Sequence, residues 1–155
     1  MSCSRTKKRS KPFTILLVDD DSDWRAVIRD GLALAHPGID VRETTGGQEA
    51  LEYLRGRGQH KGSPRPDLIC LDVQMPGLSG QQVLRTIKSE PALKSIPVVM
   101  LTSVDDEAAK REARRSGAED YFVKPSGRVR LVQALLEGLG EWVERYGQGR
   151  KESAA

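Results

Sequence analysis

LICLDVQMPG, residues 68–77, is an apolar run that stops abruptly at Asp72 and then turns through Met75, Pro76 and Gly77. A short, uninterrupted apolar run closed by turn residues is the pattern of a strand buried on both faces, as in a parallel sheet. Asp72 then lies at the carboxyl end of that strand, where open α/β sheets place their ligand crevice. A carboxylate held there needs neutralising partners, and the flanking sequence supplies candidates for them.

Upstream, Phe13–Val18 is a second buried strand and ends in Asp19-Asp20-Asp21. The spacing of Val27, Ile28, Leu32 and Ala35 predicts a helix, with Asp21 or Ser22 as its cap and His36-Pro37-Gly38 as its stop. Ile39–Glu43 is a short, more polar strand suited to a sheet edge. A helix carrying Ala50, Leu51 and Leu54 opens at Gly46-Gly47. Residues 56–66, rich in Gly, Pro and basic residues, form a long loop with a solvated His60; His36 is also read as solvated. Downstream, Val83, Leu84 and Ile87 mark a helix, and Pro97–Leu101, closed by Thr102-Ser103, is a strand. Asp105–Ser116 is a helix whose core side is mostly alanine (Ala108, Ala109, Ala113), and Lys110, Arg111, Arg114 and Arg115 form a solvated face. Tyr121–Val123 is the last strand, closed by Lys124-Pro125, and a final helix covers about Val129 to Tyr146. Five strands alternating with five helices define an α/β fold, a doubly wound five-stranded parallel sheet.

The 155 residues suffice for one domain with a full core. No run is long and apolar enough for a transmembrane helix, and no apolar segment follows the basic N-terminal residues as in a secretory signal. Two cysteines do not make a disulfide framework. Cys70 reads as a small core residue in a reducing cytoplasm. Residues 1–11 hold five bases and no acid against a whole-chain charge of +3, so residues 12–155 carry −2. The basicity belongs to the tail, which speaks against direct nucleic-acid binding by the folded part. The boundaries that follow are a disordered basic tail at 1–11, one domain at 12–147 and a second disordered tail at 148–155.

In a parallel sheet all carboxyl ends share one edge, which gathers Asp19, Asp20, Asp72, Thr102 and Lys124. Three crowded carboxylates raise one another's pKa, and a hard divalent cation such as Mg²⁺ relieves the repulsion. Metal, ammonium and hydroxyl are the groups that phosphoryl transfer requires. Asp72 is the natural nucleophile, and an ionised carboxylate needs no second base.

At this point the chain resembles the receiver domain of two-component response regulators over residues 13–145. The matching pieces are ILLVDDD (15–21), LICLDVQMPG (68–77), PVVMLTS (97–103) and DYFVKP (120–125). The resemblance implies a flavodoxin-like (βα)5 fold with strand order 2-1-3-4-5. It implies that Asp72 is phosphorylated by a sensor histidine kinase, and that Asp19, Asp20, Asp72 and the backbone carbonyl of Gln74 hold Mg²⁺. Lys124 would contact the phosphate, Thr102 and Tyr121 would shift together as a switch, and the Lys124–Pro125 bond would be cis. Gln74 and Val104 would tune the lifetime of the phosphoryl group. The long loop before residue 68, EPALKSIPVVMLT (90–102) and the Trp142-bearing helix resemble a narrower group, the stand-alone regulators paired with phytochrome-type and similar hybrid kinases.

Competing functions are disfavoured by particular residues. A Mg²⁺-dependent phosphatase acting through an aspartyl-phosphate needs an acid two residues after its nucleophile, and that position is Gln74. A flavin-binding protein needs a phosphate-cradling loop after the first strand, where this chain has three aspartates. A degenerate interaction module would lack an acid or the lysine. No effector domain follows, so the expected output is docking by a phosphoacceptor that is not otherwise an enzyme. The final helix adds a homodimer to the expectations: Val129, Val132, Leu136, Leu139 and Val143 suffice to cover the sheet. Beside them Leu131, Leu135, Trp142 and Tyr146 form a second stripe read as exposed and available for a dimer interface.

Overall fold

The five strands of the computed structural model, which describes residues 12–124, 133 and 136–145, are β1 (Thr14–Val18), β2 (Asp40–Thr44), β3 (Leu68–Leu71), β4 (Val98–Thr102) and β5 (Asp120–Val123). They form one parallel sheet in the order β2-β1-β3-β4-β5. Every residue of β1, β3 and β4 is buried, as continuous apolar runs demand. The more polar β2 is half-buried and lies at an edge, as its composition indicates.

Four helices connect the strands, α1 (Ser22–Ala35), α2 (Gly47–Arg55), α3 (Gly80–Ser89) and α4 (Glu107–Arg115), and α5, described over 136–145, follows β5. A 3-10 turn at Gly58–His60 interrupts the loop before β3. Asp21 caps α1 by accepting from the backbone N–H groups of Asp23 (2.9 Å) and Trp24 (3.3 Å). Ser79 and Gln82 close a reciprocal capping box on α3, a device that satisfies two orphan donors at once.

Alternation along the strands divides the core in two. Leu16, Val18, Ile69, Leu71, Val98 and Met100 point to the face covered by α2, α3 and α4. Ile15, Leu17, Leu68, Cys70, Val99 and Leu101 point to the face covered by α1 and α5. Cys70 is fully buried, as expected, and burial pushes its thiol up to about 12. Among the described residues no helix is long and apolar enough to cross a membrane.

Four expectations need correcting. On α1 only Ile28 and Leu32 are buried; Val27 is 39% exposed and Ala35 is also exposed, because one helix row suffices to meet the sheet. On α4 only Ala113 is buried and Ala108 faces solvent. His60 is not solvated: its ring sits 3.3 Å from Glu49 and packs at 5.2 Å from the Tyr53 ring. Trp142 does not lie on an exposed stripe. It is 7% exposed, packed in the core against α1's face of the sheet, with its indole N–H donating to Asp120 Oδ2 at 3.0 Å. A buried indole needs such an acceptor, and the edge strand β5 provides it. Val129, Leu131, Val132, Leu135, Tyr146 and the Lys124–Pro125 bond lie outside the described residues.

Candidate phosphoacceptor site

The site residues extend the strand ladders by one position. Asp72 N–H donates to Val18 O at 3.0 Å, Asp19 N–H to Thr44 O at 3.2 Å, and Lys124 N–H to Thr102 O at 2.7 Å. Backbone pairing therefore brings Asp19, Asp72, Thr102 and Lys124 to one sheet edge before any side-chain interaction acts. Asp19 (2% exposed), Asp72 (6%), Thr102 and Lys124 are all buried, whereas Asp20 is exposed.

Lys124 Nζ lies 2.5 Å from Asp19 Oδ2 and 3.3 Å from Asp72 Oδ2. One ammonium bridges two carboxylates. Single carboxylate oxygens of Asp19, Asp20 and Asp72 come within 4.8 Å of one another. Burial pushes the Asp72 carboxyl above the ordinary carboxylate range; Lys124 opposes that rise and the Asp19 carboxylate adds to it. Three acids against one ammonium leave negative charge in a half-dry place, and hard oxygen donors in that number suit a divalent cation. The donor set fits such an ion.

Surrounding residues fix the orientation of these groups. Asp21 N–H donates to Asp19 Oδ1 at 3.0 Å, and Arg25 Nη1 to Asp19 O at 2.7 Å. The same guanidinium reaches Glu43 Oε1 through Nε at 3.0 Å. Gln74, solvent-exposed, approaches Asp72 Oδ1 through its backbone N–H at 3.4 Å. Thr102 Oγ1 accepts from Val104 N–H at 3.2 Å, and Tyr121 OH donates to Val104 O at 2.7 Å. Thr102 and Tyr121 thus meet at one residue, and burial pushes the Tyr121 phenol up.

Three residues of the site were not singled out from the sequence. Trp24, in the first turn of α1, has its ring centroid 5.6 Å from Lys124 Nζ, within range of a cation–π attraction. Arg25 ties the Asp19 backbone to β2. Gly80 starts α3 against the Asp72 backbone, where a Cβ would fall 2.0 Å from the Asp72 carbonyl oxygen. Trp24 and Arg25 directly follow the acidic run, and Gly80 opens the helix after the 68–77 turn; those positions were the available signal.

Residues 15–136 match the response regulator receiver domain, and the chain belongs to that family. Among its relatives, response regulator Rcp1 of Synechocystis sp. strain PCC 6803 is 38% identical over 137 residues, covering 86% of this chain and 90% of Rcp1. The phosphorylated cyanobacterial phytochrome response regulator RcpA superposes with a TM-score of 0.79 at 34% identity, covering 84% of this chain and 93% of that one. The Mn²⁺-bound form of Rcp1 superposes with a TM-score of 0.72 at 32% identity, over 83% and 91% of the two chains. Several other curated relatives are longer, and the chain spans about half their length (56%, 53% and 48%).

Proposed function

We propose that the chain is a response regulator that takes a phosphoryl group from a histidine kinase onto Asp72 and signals through the resulting change of surface. The bridging of Asp19 and Asp72 by Lys124 Nζ, at 2.5 and 3.3 Å, carries this reading. A carboxylate oxygen of Asp72 attacks phosphorus, the P–N bond to the kinase imidazole breaks, and the electron pair leaves on that nitrogen. Lys124 is positioned to follow the transferred oxygens. The Thr102 hydroxyl proton is available to turn toward them, because among the described residues its oxygen serves only as acceptor to Val104 N–H. Asp19, Asp20, Asp72 and the Gln74 carbonyl would hold Mg²⁺, which supplies charge neutralisation at the equatorial oxygens.

The switch follows from the shared residue. Movement of Thr102 toward phosphate pulls on Val104 N–H, which loosens the Tyr121 bond to Val104 O. The α4 helix, held by one fully buried alanine, is the element free to repack. Likeness to the cyanobacterial phytochrome response regulator RcpA supports a phytochrome-type kinase as donor, and the setting we propose is cytoplasmic. Homodimerisation through the final helix is part of the same proposal, but with Trp142 buried it falls to Leu131, Leu135 and Tyr146. Sedimentation of wild type against the Leu131→Glu, Leu135→Glu double variant tests it; a wild type that stays monomeric with and without phosphate refutes it.

The central test is labelling with Mg²⁺ and acetyl phosphate. One base-labile phosphoryl group per chain is expected, and Asp72→Asn should abolish it. Labelling of that variant at the wild-type rate would overturn the assignment.

A further inference from the structure

The C-terminal half of α1 and the last turns of α5 leave a groove of about 770 Å³ between them. Its floor is apolar: Gly31 lets Leu136 rest on the α1 backbone, since a Cβ there would lie 2.4 Å from Leu136 Cδ1. Leu34 stands beside it 84% exposed, the most exposed large apolar side chain among the described residues. One wall is acidic. Glu137, Glu141 and Glu144 share a face of α5, are exposed, and form no ion pair among the described residues. Among the described residues that line the groove there is no lysine or arginine, and His36 is the one basic group.

We propose that this groove receives the chain's own basic segment, residues 1–11. Three independent observations select that occupant. The first is charge: residues 1–11 carry five bases and no acid, complementary to three glutamates that form no ion pair among the described residues, whereas residues 12–155 carry −2. The second is position. Phe13 O accepts from Asp40 N–H at 2.9 Å and Ile39 N–H donates to His36 O at 3.1 Å. The segment therefore joins the fold beside the turn that ends α1, where His36 lines the groove. The third is length. Eleven extended residues reach ~36–40 Å, while the α5 wall from Gln133 to Glu144 runs only ~17 Å. Lysine and arginine stems can lie along Leu34 and Leu136 with their charged ends on the glutamates, and tethering raises the effective concentration of the segment at the groove.

The test is zero-length carbodiimide coupling of the full chain, using a mixture of unlabelled and ¹⁵N-labelled protein. Lys7, Lys8 or Lys11 should join Glu137, Glu141 or Glu144 within one copy, with yield falling about fivefold when salt is raised to about 0.5 M. Mixed-isotope links in the majority would assign the groove to a second copy. Equal yields at Glu107 and Glu112 on α4 would mean the segment roams. Either result overturns the proposal, as does absence of any link to α5. Independently, changing the five bases to glutamine should speed amide hydrogen exchange several-fold over Leu34 to His36, and unchanged exchange would refute docking.

Discussion

Replacing Gly80 by alanine inserts one methyl group where the first turn of α3 meets the backbone of Asp72. The added Cβ would fall 2.0 Å from Asp72 O and 2.8 Å from both Asp72 C and Val73 Cα. Cβ contacts below 3.0 Å essentially do not occur, and all three atoms are backbone, so α3 and Asp72 must separate by about 1 Å. Neither side can yield easily. Asp72 N–H is held by Val18 O at 3.0 Å, and Gly80 N–H is held by Val73 O at 2.9 Å. An alanine in a helix ordinarily stabilises by ~0.4–1 kcal/mol over glycine, whereas forced backbone shifts cost ~1–3 kcal/mol. Net destabilisation is expected, of about 1–2 kcal/mol. The effect on chemistry should be larger, since misplacing a reacting group by ~1 Å costs up to ~10²-fold in rate. Thermal denaturation and the initial rate of labelling by acetyl phosphate measure the two separately. Gly46→Ala is the control, because nothing lies within 4 Å of a Cβ built there. A Gly80→Ala protein that labels at the wild-type rate and melts at the wild-type temperature would refute the packing argument.

Asp72 carries a carboxyl raised by burial, so the folded state binds its proton more tightly than the unfolded chain. The stability penalty of ionising it is absent below the ordinary carboxylate pKa of 3.8 and grows as pH rises through the raised value. Metal-free Asp72→Asn should therefore melt higher than wild type at neutral pH, with the gap closing on acidification. Tyr121→Phe loses the bond to Val104 O and should destabilise by ~0.5–1.5 kcal/mol, with faster hydrogen exchange concentrated from Val104 to Ser116; exchange changes confined to other segments would oppose the switch. Trp24 fluorescence should change when a phosphate mimic such as beryllofluoride draws Lys124 from the ring, and Trp24→Phe should abolish the signal while Trp142 remains. Asp20→Asn should weaken the Mg²⁺ dependence of labelling several-fold, read by titrating the metal.

β1, β3 and β4 and the residues at their ends were legible because burial on both faces forces an uninterrupted apolar run, and each of those runs ended in a polar residue. Asp19, Asp72, Thr102 and Lys124 needed only the inference that parallel strands share an edge. What hydrophobic spacing could not convey was how much of each helix its neighbours would cover. Val27 and Ala108 fit the periodicity yet face solvent, and Trp142 lay on the stripe read as outer yet is buried. In that last case the deciding partner was Asp120, a residue distant in sequence whose carboxylate satisfies the indole. The Trp24 contact with Lys124 was illegible for the same reason: its 100-residue separation closes only when α1 and β5 are docked on one sheet.

The meeting of Thr102 and Tyr121 at residue 104 uses only the peptide groups of that residue, its N–H toward one and its C=O toward the other. The valine side chain takes no part in either bond. Any residue with an amide proton can therefore make both bonds, and the proposed switch asks for no particular side chain at its middle member. Substitutions at 104 that keep the amide leave both bonds available to the proposed switch. Proline is the exception, since it alone removes the donor.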